Sequence, residues 1–221
     1  MQADRLIRFR PEVEGILYCG WPVSFSKTNG MLIKYGLLLH CRSQMSDNKH
    51  NGMKQLDINI STGGIQSLFG DDSSRLANFC NLIGYLVREP CPAGTVMVTL
   101  EEHDTASGMC AVAMCASENP GHLGRRERYD RCIYSGFSDV PGRPVTVDNV
   151  RRHPGYLALD TGVRSEIFFE CDNPGPVRPI LNAEFSSIAV SEEAKKWFSR
   201  LTMILTGRSD DKAKMETSDD F

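Results

Sequence analysis

A chain of 221 residues has room for one sizeable core and a smaller extension, and too little for two large domains. Its 25 Lys and Arg against 28 Asp and Glu leave a formal charge of −3, which excludes a global electrostatic pull towards nucleic acid or an anionic membrane. The most apolar stretch, Met31 to Cys41, is interrupted by Lys34 and falls well short of the roughly 20 apolar residues of a spanning helix, so a soluble, cytoplasmic protein is expected.

In chain order, residues 1–70 read as a strand-rich extension docked on a main domain. Asn29-Gly30 and Asn51-Gly52 are placed to turn hairpins, and Leu56, Ile58 and Ile60 alternate. The stretch LDINISTGGIQ carries Asn59, Ser61 and Gly64, which resemble half of a PilZ-type cyclic-dinucleotide motif. Arg5, Arg8 and Arg10 have the wrong spacing for the other half, so a Gly-rich turn is the expectation. Leu76, Phe79, Cys80, Ile83, Leu86 and Val87 then form one stripe of a 3.6-residue period, which predicts a helix capped by Asp72 or Ser73. Strands are predicted at Thr95 to Glu101, where Val96, Val98 and Leu100 alternate with other residues, and at Cys110 to Ala116. Ser117 to Arg131 reads as an arginine-rich surface loop. Further strands are predicted at Val145 to Val147, Val163 to Glu170 and Pro179 to Glu184.

A closing helix is predicted from Ala194, Trp197, Phe198, Leu201, Ile204 and Leu205, with Ser191 as N-cap, Glu192 and Glu193 in the first turn, and Gly207 as the stop. From Arg208 onward the charged tail reads as disordered. Two helices of the same register enclosing a run of strands predict an α+β fold. Both helices pack on one face of an antiparallel sheet, and the other face is left for a ligand.

The eight cysteines include no C-x-x-C, and the five histidines no H-x-x-x-H, so neither a disulfide framework nor a metal or other cofactor is expected. Cys110 and Cys115, five residues apart on one strand, are expected on opposite faces.

The segment VTVDNVRRHPGYLALDTGVRSEI, Val145 to Ile167, resembles the central part of GAF domains: a short strand, a histidine-proline loop and an Arg-Ser-Glu strand. LNAEFSSIAV, Leu181 to Val190, resembles that family's last strand and its connection into the closing helix. The resemblance implies a GAF-like domain over residues 71–207, between the 1–70 extension and a 208–221 tail.

Within that family, the free methionine-(R)-sulfoxide reductases have the most specific chemistry. Their Cys-Gly pair corresponds here to Ser135-Gly136, and their Gly-His-Ile-Ala-Cys-Asp pattern to Gly155, Tyr156, Leu157, Ala158, Leu159 and Asp160. A thiolate nucleophile and a resolving thiol are both needed, so Ser135 and Leu159 remove that route, and no catalytic residue is expected. Cys132, three positions before Ser135, could stand in for one lost thiol, but nothing aligned with Leu159 supplies the other. The binding half is partly kept. Ser165-Glu166 matches the family's Ser-Glu pair, and Asn182 and Glu184 match the two acids of its Leu-Asp-x-Asp motif.

The ligand-binding set that this implies is Tyr134, Ser135, Asp148, Tyr156, Leu159, Asp160, Ser165, Glu166, Asn182 and Glu184, with Glu166 and Glu184 facing an amine. Plainer readings stand beside it: Glu166 caps loop amides, Glu184 is solvated, Tyr156 staples its loop and Asp148 makes an Asx-type turn. Two functions are compatible with these residues. One is a sensor or binding module for a small molecule; the other is a structural module with a filled pocket, dimerising through the 76–87 and 194–205 helices.

Overall fold

The computed structural model describes residues 6–9, 56–117, 120–137, 142–153, 156, 161–172 and 175–208. The two Asn-Gly dipeptides before residue 55 and the tail after 208 lie outside them. Among the described residues, no helix is long and apolar enough to cross a membrane.

The first described strand, β1 (Leu6–Phe9), pairs antiparallel with β2 (Asp57–Ser61), in which Ile58 and Ile60 are buried as their alternation requires. After β2 the chain enters a helix in place of the expected Gly-rich turn. The Ser61 hydroxyl accepts the Gly64 amide at 3.2 Å and caps α1 (Thr62–Phe69), which buries Ile65, Leu68 and Phe69. Next comes α2 (Ser73–Arg88), whose N-cap Asp72 accepts the amides of Ser74 and Arg75, both at 3.1 Å.

Two long strands come next, β3 (Thr95–Asp104) and β4 (Met109–Ser117). The expected loop beyond them contains a short strand, β5 (Arg126–Arg128), which pairs with β4 at Met109–Ala111. Because β2 covers β4 only from Met114 to Ser117, that edge is open, and backbone pairing needs no apolar side chains to close it. The chain ends in β6 (Val145–Val147), β7 (Ser165–Glu170), β8 (Val177–Phe185) and α3 (Glu192–Thr206). The Ser191 hydroxyl caps α3, and Gly207, at φ 67°, closes it in the left-handed conformation that glycine tolerates.

The strands form one antiparallel sheet in the order β1-β2-β4-β3-β8-β7-β6, with β5 beside β4. Thus β2 belongs to the same sheet as the strands after residue 71. All three helices share one face, where Phe79, Leu82, Phe198 and Leu201 meet Val98, Leu100, Leu181, Ala183 and Phe169 in a single cluster. Wholly burying side chains of this size contributes roughly 1.5–3 kcal/mol each, which holds the helices to the sheet.

Two register shifts alter the expected faces. In the β3–β4 ladder Leu100 opposes Met114 while Glu101 opposes Val112, so Ala113 is an extra residue. Cys110 and Cys115 consequently face the same side, away from the helices, and not opposite sides as strict alternation predicts. Gly64 of α1 lies over this bulge, and a Cβ there would come within 2.7 Å of the Ala113 Cβ. A second shift between Thr95 and Met97 turns Val96 away from the face of Val98 and Leu100.

Candidate functional site

The sheet face opposite the helices is floored by carboxylates. Alternation along β3, β7 and β8 brings Glu101, Glu166 and Glu184 to it, at 5, 2 and 3 % exposure. Glu166 and Glu184 stand directly opposite one another in the β7–β8 ladder, a like-charge pairing that is unfavourable unless something offsets it. Asn182, two residues along β8, donates its amide to Glu184 Oε1 at 3.3 Å. Glu101 accepts the Tyr134 hydroxyl and the Thr99 hydroxyl, both at 2.9 Å. Glu166 Oε1, by contrast, is buried with no hydrogen-bond partner.

These environments set the protonation states. Burial, then the nearby Glu184 and Glu101, push the Glu166 carboxyl well above the usual carboxylate range. Burial raises Glu101 as well, opposed by the hydrogen bonds from Tyr134 and Thr99. The floor therefore holds its protons to higher pH than solvated carboxyls do.

A cover of two short 3-10 turns, Tyr129–Arg131 and Ile133–Phe137, folds over the floor. Tyr134 and Phe137 pack edge-on against Phe168 of β7, with ring centroids 4.9 and 5.8 Å apart. Between cover and floor lies a cavity of about 60 Å³, walled by Tyr134 and Tyr156, with Arg125, Glu127 and Arg131 at its rim. At roughly 10–15 Å³ per water it has room for several waters or one small polar group. Beyond it on the same sheet face, His103 stacks on Tyr129 at 3.8 Å. The Glu170 carboxylate there accepts the Tyr129 hydroxyl at 3.0 Å and pairs with Arg178 at 3.4 Å, so this fourth acid is internally satisfied.

No family model matches the chain. No curated protein matches it either. Among solved structures, the free methionine-R-sulfoxide reductase of Neisseria meningitidis in complex with its substrate is 23 % identical, over 65 % of this chain and 83 % of that one, at a TM-score of 0.45. The type II free methionine-R-sulfoxide reductase of Thermoplasma acidophilum is 16 % identical over 61 and 89 %, at 0.43. The GAF domain of the Acinetobacter phosphoenolpyruvate-protein phosphotransferase is 13 % identical over 62 and 92 %, at 0.42. The fold is GAF-like. That likeness is one of fold alone.

Within this GAF-like frame the residues expected at the site separate. Glu166, Glu184, Tyr134 and Tyr156 line the cavity, and Asn182 orients Glu184. Tyr156 also packs against the cluster that contains Phe168. Ser165 does not take part. It precedes Glu166 on β7, opposes Phe185, and so faces the helices. The Ser135 hydroxyl turns back to the Cys132 carbonyl at 3.0 Å inside the cover. Asp148 makes a long-range contact in place of an Asx turn: its carboxylate accepts the Val190 amide at 3.1 Å, tying β6 to the approach to α3. Leu159 and Asp160 lie outside the described residues.

Glu101, Arg125, Arg131, Cys110 and Cys132 also line the cavity, and none of them belongs to the set expected from sequence. Glu101 was within reach of the alternation rule. Among the described residues, no three His, Cys, Asp or Glu side chains are placed to hold a metal ion.

Proposed function

We propose that this GAF-like domain is a non-catalytic, cytoplasmic binding module, sensory or regulatory in role, whose chamber takes a small amine-bearing molecule. The observation that carries the reading is the buried, unbonded Oε1 of Glu166, a residue that lines the cavity together with Glu184 and Glu101. Burying a carboxyl without partners costs several kcal/mol when charged, so the arrangement calls for a cation. A primary ammonium has three donors in a compact head, which suits one acceptor from each of three acids. Arg125 and Arg131 at the rim would receive an anionic or polar remainder of the same ligand.

The dimerising alternative needs apolar side chains left over on the outer faces of α2 and α3. Among the described residues the exposed large hydrophobic is Ile188, at 62 %, in the turn before α3 and on neither helix. No observation favours that alternative.

The test is thermal unfolding of the chain with methylamine, ethanolamine and free amino acids, each beside its neutral isostere. A ligand present at about 100 times its Kd stabilises by roughly 2.7 kcal/mol, which shifts Tm by several degrees. The reading predicts a shift for an amine, absent with its isostere and absent in Glu166→Gln. Equal shifts in wild type and Glu166→Gln would reject it.

A further inference from the structure

The chamber carries thiols as well as acids. We propose that Cys110 and Cys132 are an oxidisable pair, a modification site that closes as a disulfide between the sheet and the cover and pins the chamber shut. The inference does not depend on which ligand the chamber takes.

Cys110 stands on β4, turned to the chamber side, and Cys132 sits between the two 3-10 turns of the cover. Both line the same cavity and pack in the same apolar cluster. The two thiols are near enough to perturb one another, and Cys132 Sγ donates to the Arg128 carbonyl at 3.3 Å. The backbone fixes this approach from both sides. Glu127 of β5 pairs directly with Cys110, and the turn after it brings Cys132 back, its amide bonded to the Tyr129 carbonyl at 2.9 Å. A disulfide needs Cα atoms within about 7 Å, an approach that the β4–β5 pairing at Cys110 and the tight turn before Cys132 favour.

Exposure assigns the roles. Cys132 is half-exposed, whereas Cys110 is 2 % exposed, so Cys132 attacks first and Cys110 resolves. The other cysteines are poor competitors by position: Cys91, Cys115 and Cys171 do not line the cavity that Cys110 and Cys132 share.

With oxidised glutathione as the oxidant, the Cys132 thiolate attacks one glutathione sulfur. The glutathione S–S bond breaks, and one glutathione thiolate leaves. Cys110 then gives its proton to solvent and attacks Cys132 Sγ, which expels the second glutathione thiolate. The pair has lost two protons and two electrons, and one glutathione disulfide has become two glutathione thiols. The cross-link ties the cover to β4 two residues before Tyr134, whose hydroxyl already bonds Glu101.

The test is incubation of the full chain with oxidised glutathione, alkylation of remaining thiols, and non-reducing peptide mapping. It is run on wild type, Cys110→Ser, Cys132→Ser and Cys115→Ser, with circular dichroism confirming that each is folded. The expected result is a Cys110–Cys132 link with the loss of two hydrogens, retained in Cys115→Ser and absent in the other two variants. Oxidation should also raise the wild-type Tm by roughly 5 °C or more, since the bond closes a loop of moderate length. Cys132 linked to another cysteine, or left as a stable glutathione adduct while Cys110 remains open to alkylation in folded protein, would overturn the proposal.

Discussion

The two faces of the sheet are buried to nearly the same degree and filled in opposite ways. On the helix side, Val98, Leu100, Leu181 and Ala183 meet Phe79, Phe198 and Leu201 at 2 % exposure or less. One position from Leu100, Ile167 and Ala183, on β3, β7 and β8, Glu101, Glu166 and Glu184 are at most 5 % exposed, and Glu166 keeps an oxygen without a partner. The first arrangement stabilises the fold at roughly 25 cal/mol per Å² of apolar surface buried. The second costs free energy in the empty protein. The proposed function places the site on the costly face.

Substitutions on the two faces should therefore differ in sign. The largest effect belongs to the helix side: Phe198→Ala should cost about 3–5 kcal/mol in urea unfolding, because it empties a closely packed position. Glu166→Gln on the other side should stabilise the ligand-free chain at neutral pH, read as a higher urea midpoint, since it removes a buried ionisable group whose proton affinity is raised by burial, Glu184 and Glu101.

The same carboxyl makes the difference depend on pH. With the folded value raised, the folded chain holds a proton that the unfolded chain has lost, so wild-type stability should fall as pH rises from the ordinary carboxylate range towards the raised value. Urea midpoints across that range should fall more steeply for wild type than for Glu166→Gln. Parallel curves would show that Glu166 carries no strain.

Two smaller effects probe the helix side at its edges. Gly64→Ala should destabilise by about 1–3 kcal/mol despite the better helix propensity of alanine, because the added methyl meets the bulged Ala113. A stabilising outcome would mean that α1 does not sit tightly over the bulge. Ser191→Ala should cost about 1 kcal/mol, the worth of one N-cap, read from its thermal midpoint.

The contrast between the faces also explains what the sequence made legible. The stripes of α2 and α3, with Asp72, Ser191 and Gly207 at their ends, are local signals, and the structure keeps them. The bulge at Ala113 and the pairing of β5 with the open edge of β4 depend on neighbouring strands, which no periodicity within one segment encodes. Glu166 and Glu184 were readable by resemblance, but Ser165 followed Glu166 into the candidate set although adjacent strand residues cannot share a face. Cys110 and Cys132 meet only because the bulge turns one thiol and the cover returns the other.

The most direct test of the account is calorimetric titration of wild type and Glu166→Gln with primary amines and their neutral isosteres, near pH 7, in two buffers of different ionisation enthalpy. An ammonium that pairs with Glu166 favours that carboxyl's charged form and so opposes the upward shift that burial gives it. The account therefore predicts an amine that binds wild type with proton release, and neither binding nor release with Glu166→Gln. Amines that bind no better than their isosteres, or equally well to both proteins without moving a proton, would contradict it.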